Sequence, residues 1–135
     1  MSTTLHKTLG KSLQELAVLT GEVEAFLAEH GTPGPAVFRV QLALEETILN
    51  LINHAPAARQ IEVRLALEAN RLVLDIEDDG DYFDPRGVPE FDKTQPLEQR
   101  RPGGMGIQLL RGLVPEIDYR RVESRNRLRL TIPSA

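Results

Sequence analysis

The sequence predicts an α+β fold, a two-layer sandwich in which three helices cover a mainly antiparallel sheet. Three observations predict it. Apolar residues recur at helical spacing from Leu13 to Leu51. Period-two alternation then runs through two adjacent segments, Ile61 to Leu67 and Leu72 to Ile76, and returns between Ile117 and Ile132. Between these strand regions lies a long aperiodic stretch, Asp78 to Gly104, followed by a short helical run.

In chain order, Thr3 to Leu9 alternates weakly and reads as a short edge strand. Ser12 followed by Glu15 makes a capping box, after which Leu13, Leu16, Thr20, Val23 and Leu27 recur up to a stop at Gly31. Thr32 to Pro35 is a connector. Pro35 suits the first turn of the second helix and Pro56 enforces its end. In that helix Val37, Val40, Leu44, Ile48 and Leu51 share one side, and Phe38, Leu42 and Leu49 cover much of the rest, so it is expected to be largely buried. Ile61, Val63, Leu65 and Leu67 alternate with Glu62, Arg64 and Glu68. After a turn near Ala69 and Asn70, Leu72, Leu74 and Ile76 alternate with Arg71, Asp75 and Glu77, which makes a hairpin with one wet face. Ile107, Leu110 and Leu113 give the third helix; Ile117, Tyr119 and Val122 a strand; Ser124 to Asn126 a turn; Leu128, Leu130 and Ile132 a closing strand.

The chain has 135 residues, 41% hydrophobic and 27% charged, which suits one domain over residues 1–135. With no cysteine, disulfide frameworks, thiolate zinc sites and cysteine nucleophiles are excluded. A formal charge of -4 argues against a general nucleic-acid binder. No apolar run reaches a membrane-spanning length and the start lacks a signal-peptide pattern, so a cytoplasmic location is expected. Charge is uneven: acids gather from Asp75 to Asp84 and arginines from Arg120 to Arg129. The arginines read first as a solvated strand face, with a partner surface as the alternative.

Three stretches stand out for chemistry. On the second helix, Glu46, Asn50 and Asn53 project from one narrow strip opposite the main apolar stripe. A carboxylate and two amides sunk in a core helix must be satisfied by the fold or face a ligand cavity, because an unpaired buried polar group costs about 1–3 kcal/mol. The second stretch, Ile76 to Pro85, delivers Asp78 and Asp79 to a strand end, where Gly80 lets the backbone turn. It imitates the opening of an EF-hand loop, but the twelfth position is Arg86 and a strand precedes it where a helix is required. The third, Arg100 to Leu113, sets Gly103, Gly104 and Gly106 before a helix start, where exposed amides can seat a phosphate; a hinge or a cap would look similar.

In this order the three stretches resemble the N, G1 and G2 boxes of the GHKL ATPase superfamily, whose shared domain is the Bergerat fold. LEETILNLINHA, DDGDYFDP and GGMGIQLLRGLV look most like the stand-alone anti-sigma-factor serine kinases of bacteria, and the resemblance covers essentially the whole chain.

The resemblance implies ATP and Mg²⁺ as cofactors. By it Asn50 holds Mg²⁺ through its amide oxygen, Glu46 is the general base, and Asp78, with Gly80 beside it, accepts a hydrogen bond from the adenine amino group. Asn53 lies within the same pocket. Gly103, Gly104, Met105 and Gly106 wrap the phosphates, Arg101 and less directly Arg100 reach the γ-phosphate, and residues 81–102 form a lid. One departure is Tyr82, which stands where the wider pattern has a second glycine. The function implied is a serine/threonine protein kinase. It would phosphorylate a small anti-sigma-factor antagonist and bind a sigma factor or equivalent target, with the first helix and edge strand as candidate homodimer elements. The alternative is a nucleotide-binding regulatory module that sequesters a partner without phosphorylating it. A histidine-directed catalytic domain acting in trans is disfavoured, because no dimerisation-and-histidine helix pair is present.

Overall fold

Five strands and two long helices make up most of residues 3–82, 84 and 110–134, which the computed structural model describes. Their order is β1 (Thr4–Gly10), α1 (Leu13–Glu29), α2 (Gly34–His54), β2 (Gln60–Leu67), β3 (Arg71–Asp78), β4 (Glu116–Val122) and β5 (Arg125–Pro133). A helical turn at 110–113 precedes β4. Ile107, where the third helix is expected to begin, lies outside the described residues.

The strands form one sheet in the order β1-β2-β3-β5-β4, with antiparallel neighbours throughout. Period-two alternation turns Ile61, Val63, Leu65, Leu74, Ile76, Leu128, Leu130 and Ile132 to one face. There they meet Leu16, Leu19, Val23 and Leu27 of α1 and Val40, Leu44, Ile48 and Leu51 of α2 in a single core. Full burial of each such side chain contributes about 1.5–3 kcal/mol. The opposite face is charged. Asp75 stands across from Arg129 and Glu77 across from Arg127, so the acidic and arginine-rich segments of the sequence are cross-strand partners. The arginines at 127 and 129 therefore lie on the solvated strand face, as their spacing predicts.

The start of α1 is fixed as expected, with one change. Ser12 Oγ accepts from the Glu15 amide at 3.3 Å, but the Glu15 carboxylate reaches back to the Gly10 N–H, at 3.2 Å, instead of to Ser12. Its end is a Schellman motif: Gly31 sits at φ 68° and Thr32 N–H donates to Leu27 O.

Two expectations are corrected. Phe38 is 61% exposed, so α2 is amphipathic and not apolar nearly all round. The β4–β5 turn falls at Glu123 and Ser124, both at positive φ, and Asn126 already pairs within β5. That register turns Val122 outward, 44% exposed, and places Arg121 on the helix-covered face with Tyr119 and Ile117.

Candidate functional site

The inner face of the sheet ends in a polar row. Asp78, the last residue of β3, lies beside Ile61 of β2 and Asn126 of β5, and Asn126 lies beside Arg121 of β4. Asp78 and Asn126 are 5% and 4% exposed, so each needs partners. Asp78 Oδ1 accepts from Gly80 N–H at 2.9 Å and from Asn126 Nδ2 at 3.0 Å. Asn126 Nδ2 also donates to Asp81 O at 2.8 Å, while its Oδ1 accepts from the Tyr119 hydroxyl and from Arg121 Nη1. Arg121 Nη1 further donates to Gly80 O at 2.8 Å. No described residue donates to Asp78 Oδ2, and that oxygen keeps contact with solvent.

The two residues after Asp78 are structural. Asp79 Oδ1 accepts from the amides of Arg59 and Gln60 at 2.7 and 3.1 Å, and these bonds hold its carboxyl below the ordinary aspartate value. Space at Gly80 is tight: a Cβ there would lie 3.0 Å from Ala58 Cβ, 3.0 Å from Asp78 Oδ1 and 3.1 Å from Ala58 N. The backbone bends at Gly80, as its place after the strand predicts, and does so without a positive φ, which among the described glycines only Gly31 has.

The strip on α2 is less buried than its sequence suggests. Glu46 and Asn50 are half-buried and Asn53 is exposed. None of the three makes a side-chain hydrogen bond or ion pair with a described residue, and none has a side-chain polar atom sealed from solvent without a partner. Burial pushes the Glu46 carboxyl above its ordinary value, and the neighbouring charge of Glu45 adds to the shift. Glu45 itself is exposed and forms no ion pair among the described residues.

The connector between α2 and β2 brings the two regions to one end of the sandwich. Ala55 caps α2, Ala58 donates to Ala55 O and lies against Gly80, and the next two amides bind Asp79. Asn50 and Asn53 thus sit on the last turns of a helix whose end abuts the Asp78 loop; Glu46 lies about 12 Å before that end at 1.5 Å per residue. Arg100, Arg101, Gly103, Gly104, Met105 and Gly106, and all of the expected lid except residues 81, 82 and 84, lie outside the described residues.

Sequence reasoning missed Asn126, Tyr119 and Arg121 as members of this cluster. By composition Asn126 reads as a turn residue, and Arg121 reads as part of the solvated arginine face. The signal available was parity: counting by twos from Ile117 through Tyr119 reaches Arg121, not Val122.

The donor set fits a nucleotide. Asp78 offers one open carboxylate oxygen beside a tightly packed glycine, which suits a flat base carrying an amino group. Asn50, on the last turns of α2, offers an amide oxygen, which suits a hard cation taking its other ligands from phosphate and water.

Fold and site together define a nucleotide-binding ATPase-type domain. The chain belongs to the histidine kinase-like ATPase domain family, whose model matches residues 11–132. It is 31% identical over 103 residues to the serine/threonine-protein kinase BtrW of Bordetella bronchiseptica, covering 73% of this chain and 71% of that protein. It is 27% identical over 85 residues to the serine-protein kinase RsbW of Bacillus licheniformis, covering 58% of this chain and 53% of that one. A crystal structure of the RsbU and RsbW domains of a Mycobacterium tuberculosis protein shares the fold, with a TM-score of 0.69 at 18% identity over 97% of this chain. The match spans 32% of that longer chain.

Proposed function

We propose that the chain is an ATP-dependent serine/threonine protein kinase of the anti-sigma-factor type, which phosphorylates a small antagonist protein and holds a sigma factor or equivalent target when the antagonist is absent. The observation that carries the reading is Asp78, buried, pinned through Oδ1 and open at Oδ2. A fixed acceptor-only group of this kind selects an amino-bearing base. The kinase names of the relatives supply the reaction class.

In this reading Asp78 orients the base and Gly80 lets it approach, while Asn50, with Asn53 beside it, holds Mg²⁺ and the phosphate end. Bound Mg²⁺ supplies neutralisation of charge on the phosphoryl group in flight. Glu46 takes the proton of the attacking serine hydroxyl, and burial, which raises its carboxyl above the ordinary value, makes it a stronger base for that work. Arg101 adds charge at the γ-phosphate, and Gly103, Gly104, Met105 and Gly106 supply backbone amides around the phosphates. Residues 81–102 close over the nucleotide. α1 and the free edge of β1 are the elements offered to a second copy. No helix among the described residues is long and apolar enough to cross a membrane, and we place the protein in the cytoplasm.

The test is incubation with Mg²⁺, ATP labelled in its γ-phosphate and the cognate antagonist protein. Label on an antagonist serine is expected. ATP binding without transfer would favour a regulatory module that sequesters its partner without phosphorylating it.

A further inference from the structure

We propose that Arg121 is a positioning residue for base recognition, clamping the two groups that hold Asp78 so that one carboxylate oxygen is fixed and the other faces the nucleotide. The inference rests on the reading of Asp78 as the acceptor for the base. Asp78 Oδ1 has two donors, Gly80 N–H and Asn126 Nδ2. A single nitrogen of Arg121 ties both of those donors together, through Gly80 O at 2.8 Å and Asn126 Oδ1 at 3.1 Å.

The chemistry of the clamp is specific. A guanidinium only donates, and both groups it meets here are acceptors. Its charge strengthens each bond relative to a neutral donor and polarises the Asn126 amide toward the carboxylate beyond. Among the described partners of the amide, Tyr119 donates to Asn126 Oδ1 and Asp81 O accepts from Nδ2, and Arg121 alone of them also reaches Gly80 O. Without Arg121 the carbonyl of Gly80 loses its tie to β4, and the 78–81 turn can move relative to Asn126. A loosened carboxylate swings away from a base that presents an acceptor, whereas a fixed one rejects it. Arg121 is thereby a determinant of specificity more than of affinity. Its side chain is on the inner face by strand parity, yet it lies at the strand tip and is exposed, so its loss leaves the apolar core intact.

The experiment compares binding of Mg·ATP and Mg·ITP, whose base carries an oxo group in place of the amino group, by titration of the full chain. Both nucleotides share their phosphates, so the ratio of dissociation constants isolates the base. Wild type is expected to prefer ATP by about tenfold or more, the size of a fixed hydrogen bond gained against an acceptor repelled. Asp78→Asn should bring the ratio near one. Arg121→Met, which keeps the stem and loses every donor, should lower the ratio by about fivefold. Arg121→Lys, which keeps a charged donor-only head, should stay within about twofold of wild type. Arg121→Ala is a second donor-free variant, and thermal unfolding of each protein checks the fold. A collapsed ratio in Asp78→Asn with a wild-type ratio in both donor-free variants would overturn the role of Arg121 alone. No ATP preference in wild type, or a preference that survives Asp78→Asn, would overturn the reading of Asp78 and this inference with it.

Discussion

Asn126 donates its side-chain amide to Asp78 Oδ1 at 3.0 Å, joining residues 48 positions apart on neighbouring strands. Asn126→Leu, close in volume, removes that donor and leaves Asp78 with one. Because both residues are buried, the loss should cost about 1–3 kcal/mol in urea unfolding. ATP affinity should fall as well. A variant with wild-type stability and affinity would mean that the pair orients nothing.

Gly80→Ala tests space and not backbone freedom. The added methyl meets Ala58 Cβ and Asp78 Oδ1 at 3.0 Å each, and both are anchored. Overpacking of this kind costs about 1–3 kcal/mol. Thermal melts should show the loss, and nucleotide titration should show weaker binding, since the methyl pushes on the carboxylate that meets the base. Ala58→Gly in the same chain removes one of the three close contacts, the others being Asp78 Oδ1 and Ala58 N, and should recover part of the stability.

Glu46 and Asn50 divide chemistry from binding. Glu46→Ala should abolish phosphoryl transfer while leaving ATP affinity within about twofold, because a general base acts on the hydroxyl and not on the nucleotide. Asn50→Ala should weaken Mg·ATP binding itself, as read by titration with and without the metal. The pH profile adds a sign. Glu46 works deprotonated, so the acid limb of kcat should lie above the ordinary carboxylate range, raised by burial and then by Glu45. Glu45→Gln removes the second cause and should move that limb to lower pH. An unmoved limb would detach Glu45 from the site.

Much of this architecture was legible in the letters. The Ser12 cap, the Gly31 stop, the Pro56 boundary and the hairpin from Ile61 to Ile76 all follow from local rules, and the structure obeys them. Burial around α2 was less legible, because Phe38 fits an apolar surface by type yet faces solvent. Least legible was the Tyr119–Asn126–Arg121 support. Polar residues on an inner strand face contradict the hydrophobic pattern, and Ser124 to Asn126 has the composition of a turn. Parity points Arg121 inward, but it takes the register of β4 on β5, set by left-handed residues at Glu123 and Ser124, to set Arg121 beside Asn126 and Asn126 beside Asp78.

Asp79 offers a pH test of the fold that is separate from chemistry. Its folded pKa is depressed by the Arg59 and Gln60 amides, so its stabilisation is fully present above the unfolded value of about 3.9. It is lost as pH falls through the folded value. Asp79→Ala should therefore lower stability at neutral pH by less than a buried hydrogen bond would, since solvent screens this exposed carboxylate, and the gap from wild type should close in acid. Urea midpoints across that range check it; a gap that persists at the acid end would assign the loss to something other than the ionised carboxylate.

The most direct test of the account is a crystal structure of the chain with Mg²⁺ and a non-hydrolysable ATP analogue. The account predicts the adenine amino group within hydrogen-bond distance of Asp78 Oδ2, the metal on the Asn50 amide oxygen and Glu46 facing the γ-phosphate. A base bound away from Asp78, or a metal held without Asn50, would contradict it.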